Sequence, residues 1–292
     1  MNTILELENV SKKYKKSDFS LKNISFSLGK GNILGFVGEN GAGKSTTIDC
    51  ILNVLKKDSG IIRLFGQEMS NSDIKLREKI SVVYDSDNFP EYLNAKQLSN
   101  IFKDIYKNWD EKIYKSYLNR FNLSEHQVIK TYSRGMSMKL AIAVALSHKA
   151  ELLLLDEATS GLDPIMRDEI LDVLLDFVKD ENHSILLSSH ITGDLEKIAD
   201  YIIFIHDGKI ILNTTKDELI YDYGIMRCTD KNFEKISKED MLSFRRKDYQ
   251  IDVLVNDRNK MIKKYEEVTV DIPSIEEIML ILVKGEKNER VD

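Results

Sequence analysis

Cysteine is scarce in this chain of 292 residues. Its two cysteines, Cys50 and Cys228, are too few and too far apart for a metal-binding or redox motif. They fit a reducing compartment, in which Cys50 serves as a small apolar core residue. The sequence also lacks a signal-peptide start, internal repeats and low-complexity segments. These absences favour a globular protein of the cytoplasm.

Long apolar runs are missing as well. The longest, 152–155 and 278–283, fall far short of the roughly 18 residues that a membrane-crossing helix needs. We therefore expect no membrane span, although a partner could still hold the chain at a membrane. Positive charge is not in excess either, because the net charge is -6. Binding nucleic acid requires a basic face that neutralises phosphates, so we expect no nucleic-acid partner.

The sequence does contain enough apolar residues for a sizeable core. Hydrophobic residues make up 42% and charged residues 31% of the chain, which is typical of a globular protein. Alternating apolar and polar residues at 3–10 and 23–28 predict half-buried antiparallel strands. Later segments alternate between strand and helix patterns, but from 95 to about 149 the period is helical throughout. This predicts a helical insertion in an otherwise alternating chain.

Residues 38–46, GENGAGKST, match the phosphate-binding pattern G-x-x-x-x-G-K-[ST]. A glycine-rich loop can turn its backbone N–H groups inward around an anion, and the following helix points its positive end to the same place. Lys44 adds a point charge for the β- and γ-phosphates, and the Ser45 hydroxyl is a ligand suited to Mg²⁺. The residues that we expect to contact ATP here are Gly38, Asn40, Gly41, Ala42, Gly43, Lys44, Ser45 and Thr46.

The segment 151–164, ELLLLDEATSGLDP, is the second strong element. Its four leucines predict a strand that is buried on both faces, as in a parallel sheet. Asp156 and Glu157 follow at the carboxyl end of that strand, where ligands bind in open α/β sheets. Beside a phosphate loop, Asp156 suits Mg²⁺ and Glu157 can polarise a water for attack on the γ-phosphate. The alternative is a pair of acids in an ordinary turn.

Three further segments carry weaker signals when each is taken alone. Tyr14 offers a face for an adenine ring, or it is simply an exposed loop tyrosine. Ser133 and Gly135 precede a strongly apolar helix, where Ser133 can be a plain helix cap and Gly135 allows a ligand to approach closely. His190 ends a buried strand, and a lone histidine there is more often structural than functional.

In their order along the chain, these segments together resemble the ATP-binding subunit of an ABC transporter over residues 3–212. GENGAGKST resembles the Walker A loop and LLLLDE the Walker B strand with its catalytic glutamate. YSRGM resembles the signature loop in the form seen in small bacterial peptide and antibiotic-resistance exporters of the bacitracin-exporter type. SGLD at 160–163 resembles the D-loop, His190 the switch histidine and Tyr14 the adenine-stacking A-loop. Several motifs in register are more specific than any single one.

The resemblance implies an α/β fold. It consists of a P-loop NTPase (RecA-like) core with an antiparallel β subdomain, an inserted α-helical subdomain and a small C-terminal α+β extension. The corresponding boundaries are 1–86 and 150–213 for the nucleotide-binding core, 87–149 for the helical subdomain with the signature loop, and 214–292 for the accessory region.

One position departs from the family pattern. The family usually has Gln, or in this subgroup often Glu, in the Q-loop, where this chain has Asp85. The aspartate side chain is shorter, which puts in question whether its carboxylate contacts Mg²⁺ or the attacking water directly. A water molecule that bridges the two would make up for the missing length. With this position included, the metal ligands that the resemblance implies are Ser45, Asp85 and Asp156.

The family mechanism places ATP and Mg²⁺ between two ATPase subunits that face head to tail. Ser133 and Gly135 of one subunit then contact the γ-phosphate bound by the other, and Asp163 links the two sites. Glu157 activates water, while His190 holds Glu157 and the γ-phosphate in line. The catalytic residues implied are Lys44, Glu157 and His190. A homodimer and a heterodimer with a similar subunit both remain open.

A separate integral-membrane permease is the other partner that the resemblance implies, and it would hold the chain at the cytoplasmic face of the cell membrane. We expect the loop after Asp85 to contact the permease through Phe89, Tyr92 and Leu93, unless these form a local hydrophobic cluster.

The implied function is ATP hydrolysis that drives export of a peptide, an antibiotic or another amphipathic compound. The alternative is a soluble ABC ATPase with a regulatory, translation or DNA-repair role. A single P-loop and the absence of sustained heptads weigh against it.

Overall fold

The computed structural model describes residues 3–15, 18–70, 73–86 and 88–287. The chain divides into two compact units, the first Met1–Ala199 with Ile205–Ile210 and the second Asp200–Phe204 with Ile211–Asp292. Among the described residues, no helix is both long enough and apolar enough to cross a membrane.

The elements of the first unit, in chain order, are β1 (Thr3–Lys13), β2 (Ser20–Gly29), β3 (Ile33–Val37), α1 (Lys44–Ile51), β4 (Ser59–Leu64), β5 (Gln67–Glu68), α2 (Ile74–Arg77), β6 (Ile80–Val83), α3 (Ala95–Ile105), α4 (Glu111–Arg120), α5 (Arg134–Ala145), β7 (Leu152–Asp156), α6 (Pro164–Phe177), β8 (Ser184–Ser189) and α7 (Thr192–Ile198). Two strands divide between the units, β9 (Tyr201–His206) and β10 (Lys209–Thr215). The second unit continues with α8 (Lys216–Tyr221), β11 (Gly224–Cys228), α9 (Asp230–Phe233), β12 (Ser243–Lys247), β13 (Gln250–Val255), α10 (Arg258–Lys264), β14 (Thr269–Asp271), α11 (Ile275–Lys284) and β15 (Glu286–Lys287). Short 3-10 helices lie at Ile129–Thr131 and Lys238–Asp240.

An antiparallel sheet with the strand order β2-β1-β4-β5 forms one layer of the first unit. In β1 the apolar residues Leu5 and Leu7 are buried, and the intervening Glu6 is paired with Arg63 of β4 at 3.0 Å. One face of the sheet therefore packs into the core while the other faces solvent, which is why the sequence alternates. The predicted antiparallel strands are confirmed.

Four parallel strands, in the order β3-β8-β7-β6, form the centre of the first unit. All residues of β3, β7 and β8 are buried, which explains their nearly continuous apolar runs. Because the strands are parallel, their carboxyl ends meet at one edge of the sheet. The phosphate loop follows β3, Glu157 follows β7 and His190 follows β8 at that edge.

The helical insertion comprises α3, α4 and α5, each begun by a polar cap. Asn94 and Gln97 form a capping box at α3, and the Asp110 carboxylate accepts from two backbone N–H groups at α4. Trp109 lies between these helices, where its ring contacts Phe102 at a centroid distance of 5.7 Å. Its Nε1 donates to the Ser99 hydroxyl at 3.2 Å. Trp109 therefore packs between α3 and α4.

The second unit contains an antiparallel sheet in the order β14-β11-β13-β12-β15. The sequence β11-α9-β12-β13-α10-β14 with this strand order is the split β-α-β arrangement. Its core includes Met226, Val253 and Met261 on one face of the sheet. The Ser274 hydroxyl caps the helix α11 in this unit. The predicted boundaries at 86/87, 149/150 and 213/214 stay predictions.

A charged cluster lies on the opposite face of this second sheet. Arg227 of β11 faces Asp252 of β13 in register, 3.0 Å apart, and also pairs with Asp271 and Glu277. Burial alone would raise the pKa of Asp252, but its partners, Lys247 and Arg227 among them, hold that pKa below its usual value. A buried carboxylate of this kind is stable only while its partners remain.

We expect Arg227→Met to destabilise the second unit by about 3 kcal/mol, because Asp252, only 3% exposed, then loses its guanidinium partner. Amide hydrogen exchange across β11 and β13 measures the loss. The control Lys235→Met removes a highly exposed ion pair with Glu267 and should cost less than about 1 kcal/mol. Equal losses in the two variants would show that the Arg227 cluster has no special role.

Candidate active site

The phosphate loop between β3 and α1 depends on glycines. Gly43 has a φ of 118°, in the left-handed region that favours glycine. A Cβ atom on Gly38 would lie 2.5 Å from the carbonyl oxygen of Ile205, and one on Gly43 would lie 2.7 Å from a methyl group of Leu21. Side chains at these positions would push the loop away from the strands beneath it.

The ammonium group of Lys44 is enclosed by this loop, and only 5% of its side chain is exposed. Its Nζ donates to the carbonyl oxygens of Gly38 at 2.7 Å and Glu39 at 3.1 Å. It also lies 3.0 Å from Oε1 of Glu157. Burying an ammonium group is costly without a negative charge nearby, so Glu157 stabilises Lys44 in this arrangement.

The second carboxylate oxygen of Glu157 contacts the candidate switch histidine. Oε2 lies 2.6 Å from Nδ1 of His190 and 3.4 Å from its backbone nitrogen. Glu157 has a φ of 55°, which is uncommon for a residue with a side chain and occurs often at functional sites. The carboxylate thus bridges Lys44 and His190, with one oxygen facing each.

Two oxygen groups beside the loop fit a divalent cation. Asp156 is 6% exposed and accepts from the Ser188 hydroxyl at 2.8 Å, while Ser45 is exposed at the start of α1. Carboxylate and hydroxyl oxygens are the ligands that Mg²⁺ prefers. Asp49, one helical turn after Ser45, is a further acid that sequence reasoning missed. Burial and the negative charge of Asp156 raise its pKa, against a lowering hydrogen bond from Tyr84.

A pocket of about 440 Å³ opens over the loop. Tyr14 stands at its edge with 38% of its surface exposed, and its hydroxyl lies 3.2 Å from Oγ1 of Thr46. Phe19, which no sequence motif marked, lies beside Tyr14 with ring centroids 6.3 Å apart. Two aromatic rings and the phosphate loop therefore share one pocket. Its lining brings together Tyr14, Phe19, Asn40, Gly41, Gly43, Lys44, Ser45, Thr46 and Glu157.

Gly38 and Ala42 belong to the phosphate loop itself. The remaining predicted ATP contacts, Ser133, Gly135 and Asp163, lie outside the lining of that pocket, at two adjoining helix starts. The Ser133 hydroxyl caps α5 by accepting from the backbone of Met136, and the Asp163 carboxylate caps α6. Gly135 is buried against Met166 of α6, since a Cβ on Gly135 would lie 2.2 Å from the Met166 sulfur. The candidate signature loop and D-loop of one chain thus pack against each other.

The structure places Asp85 beside the start of α5. Its carboxylate accepts a hydrogen bond from the Arg134 guanidinium, and both residues line a smaller pocket of about 270 Å³. The P-loop pocket does not include Asp85 among its described lining residues. Its predicted role as a metal ligand stays a prediction.

Sequence reasoning also missed a buried acid behind the site. Asp194 of α7 is 3% exposed, and burial raises the pKa of its carboxyl group although Thr159 and Arg167 lower it. Arg167 Nε lies 3.8 Å from Asp194, and Arg167 also donates to the Leu162 carbonyl at 3.2 Å. Asp194 therefore connects the helix after His190 to the D-loop segment. It follows His190 by four residues, but no motif in the sequence marked it.

Comparisons with known proteins agree with this geometry. The sequence model of the ABC transporter family matches residues 21–160. The lantibiotic transport ATP-binding protein SrtF of Streptococcus pyogenes is 34% identical over 73% of this chain and 92% of that protein. The bacitracin transport ATP-binding protein BcrA of Bacillus licheniformis is 33% identical over 75% of this chain and 72% of that protein.

Solved structures support the same assignment. The CbiO1 protein of Clostridium perfringens, part of the ABC transporter complex CbiONQ, has a TM-score of 0.65 and 27% identity, covering 75% of this chain and 91% of that chain. The predicted α/β fold with a P-loop NTPase core is confirmed. The chain is an ATPase subunit that binds ATP, and such subunits dimerise and work with membrane permeases. This chain belongs to the family of ABC transporter ATP-binding proteins.

Proposed function

We propose that this chain, bound to a separate permease at the cytoplasmic face of the membrane, hydrolyses Mg²⁺-ATP to export a peptide, an antibiotic or another amphipathic compound. The contact series Lys44–Glu157–His190 carries the proposal, because it joins a phosphate-binding cation to a general base and its orienting partner. The relatives named for bacitracin and lantibiotic transport support the substrate class.

ATP binding would change the partner of Lys44. A γ-phosphate competes with the Glu157 carboxylate for the Lys44 ammonium group, because both are anions that seek the same donor. Once Lys44 moves to the phosphate, Oε1 of Glu157 is free to take a proton from the attacking water. His190 keeps Oε2 in place. Mg²⁺, held by Ser45 and Asp156, would neutralise charge on the phosphates.

A second ATPase subunit would complete each site. Ser133 and Gly135 stand at the start of α5, a helix of 12 residues whose N-terminal dipole favours an anion. They do not line the P-loop pocket of their own chain. This separation supports contact with the ATP of a partner subunit, across an interface that Asp163 would border. Either a second copy of this chain or a similar subunit could be this partner.

A groove in the first unit offers a place for the permease. It has a volume of about 630 Å³ and runs beside Phe89, Phe102 and Tyr106. Phe89 packs edge-on against Phe102 at 5.9 Å, whereas Tyr92 is 77% exposed. Phe89 thus belongs to a hydrophobic cluster at the groove, and Tyr92 is free to contact a partner. Leu93 is partly buried.

The floor of the groove contains a buried histidine. The ring of His148 stacks on Tyr106 with centroids 3.9 Å apart, and its Nε2 lies 2.9 Å from the Ser81 hydroxyl. Burial lowers the pKa of His148 to about 4, so the ring is neutral at pH 7. A neutral ring at this position suits an apolar segment of the permease, while Arg77 and Glu78 line the same groove with one charge of each sign.

Glu157→Gln should bind ATP at least as tightly as the native chain, because a neutral amide competes more weakly for Lys44. Its hydrolysis should be slower by a factor of about 100 or more, since the amide cannot accept the proton. Titration calorimetry and phosphate release measure the two effects.

Glu151→Gln is the matched control, because Glu151 precedes the other end of β7 and pairs with Lys79 on the surface. It should leave both quantities unchanged. Normal turnover in Glu157→Gln would remove Glu157 from its proposed role. Tight ATP binding by Lys44→Ala would likewise contradict the phosphate-loop assignment.

Tyr92→Ser should release the chain from washed membranes of its own cell while leaving hydrolysis in solution intact. Loss of a central aromatic contact often weakens an interface by about 2 kcal/mol, which is roughly 30-fold. Tyr249→Ser is the control, because Tyr249 is 96% exposed in the second unit. Equal membrane retention of both variants would place the permease contact elsewhere.

A further inference from the structure

Asp85 is held by a residue of the candidate signature loop. Its carboxylate pairs with the Arg134 guanidinium, and the two side chains are 46% and 49% exposed. Arg134 directly follows Ser133 and is the first residue of α5. The family position that usually carries Gln or Glu thus has, in this chain, an acid with a cationic partner 49 residues further along.

Arg134 touches a third segment as well. A Cβ atom on Gly161 would lie 2.9 Å from the Arg134 guanidinium carbon, so the guanidinium packs closely against the candidate D-loop at Gly161. Gly161 has a φ of 67°, which favours glycine and leaves room for this contact. One side chain therefore connects the loop after β6, the start of α5 and the loop before α6.

The Arg134 guanidinium occupies Oδ1 of Asp85, which favours an anchoring role for this carboxylate over direct metal binding through that oxygen. The pocket around the pair also contains Lys130 and Glu91, one charge of each sign. The net charge around Asp85 is therefore set mainly by Arg134. The oxygen groups proposed to hold Mg²⁺, those of Ser45 and Asp156, follow β3 and end β7 instead.

We propose that Arg134 is a positioning residue for the signature loop and that Asp85 is its anchor. By fixing the first residue of α5, the pair orients Ser133 and Gly135 toward the ATP of the partner subunit. Asp85 then acts on the site of the other subunit and not on Mg²⁺ in its own. This inference rests on the proposed ATP-bound dimer.

The exposure of the Asp85–Arg134 pair determines how strongly its loss should weaken ATP-dependent dimerisation. Half-exposed ion pairs change an equilibrium constant by at most about fivefold. Binding of ATP to one isolated chain involves the P-loop and not the signature loop, so Arg134→Gln should leave it unchanged. The dimer dissociation constant should instead rise by about two- to fivefold, and this increase should shrink at high salt.

The experiment compares Asp85→Asn, Arg134→Gln and the double variant, each in a Glu157→Gln background that stops turnover. Sedimentation with Mg²⁺-ATP gives the dimer dissociation constant, and calorimetry gives the affinity of the dilute monomer for ATP. We expect equal losses in the two single variants and no further loss in the double variant. Exchanging the charges, Asp85→Arg with Arg134→Asp, should recover part of the loss.

The pair Arg120–Asp176 is the matched control, since it too links the helical insertion to another part of the first unit and both side chains are 40% exposed. Arg120→Gln should leave dimerisation unchanged. Additive losses, or a higher Mg²⁺ requirement for Asp85→Asn alone, would overturn the inference and favour a metal role. If the parent Glu157→Gln chain forms no ATP-dependent dimer, the proposed function fails, and the inference fails with it.

Discussion

The burial of one positive charge determines how this site is arranged. The Lys44 ammonium group is almost fully removed from water, and such a group is stable only beside negative charge. Loop carbonyls supply part of that charge and the Glu157 carboxylate supplies the rest. The parallel strands make this possible, because β3, β7 and β8 end at one edge of the sheet. Three segments distant in sequence therefore meet at one carboxylate.

Much of the fold of the first unit and of the candidate site could be predicted from the sequence, because the P-loop and the buried strands have strong local patterns. Continuous apolar runs identified β7 and β8, and their polar ends indicated Asp156, Glu157 and His190. Parallel pairing then places these residues together without any further information. The antiparallel strands before the P-loop had an equally clear alternation.

The features that were not predicted depend on contacts between residues distant in sequence, which no local pattern reveals. The pairing of Asp85 with Arg134 needs the start of α5 to lie against the loop after β6, and the pairing of Asp194 with Arg167 needs α6 to lie against α7. In the second unit, β11 was missed because Arg227 interrupts its apolar pattern. That residue is partly buried, and Asp252 faces it from the next strand while Asp271 and Glu277 also pair with it.

The neutral imidazole of His148 makes the first unit sensitive to acid. His148 follows α5, Ser81 belongs to β6 and Tyr106 ends α3, so the ring joins the helical insertion to the parallel sheet. The unfolded chain takes up a proton near the ordinary pKa of 6.5, whereas the folded chain resists it down to about 4. The stability that this group contributes is therefore complete above 6.5 and is lost as the pH falls toward 4. Acidification would therefore loosen the junction between the helical insertion and the parallel sheet.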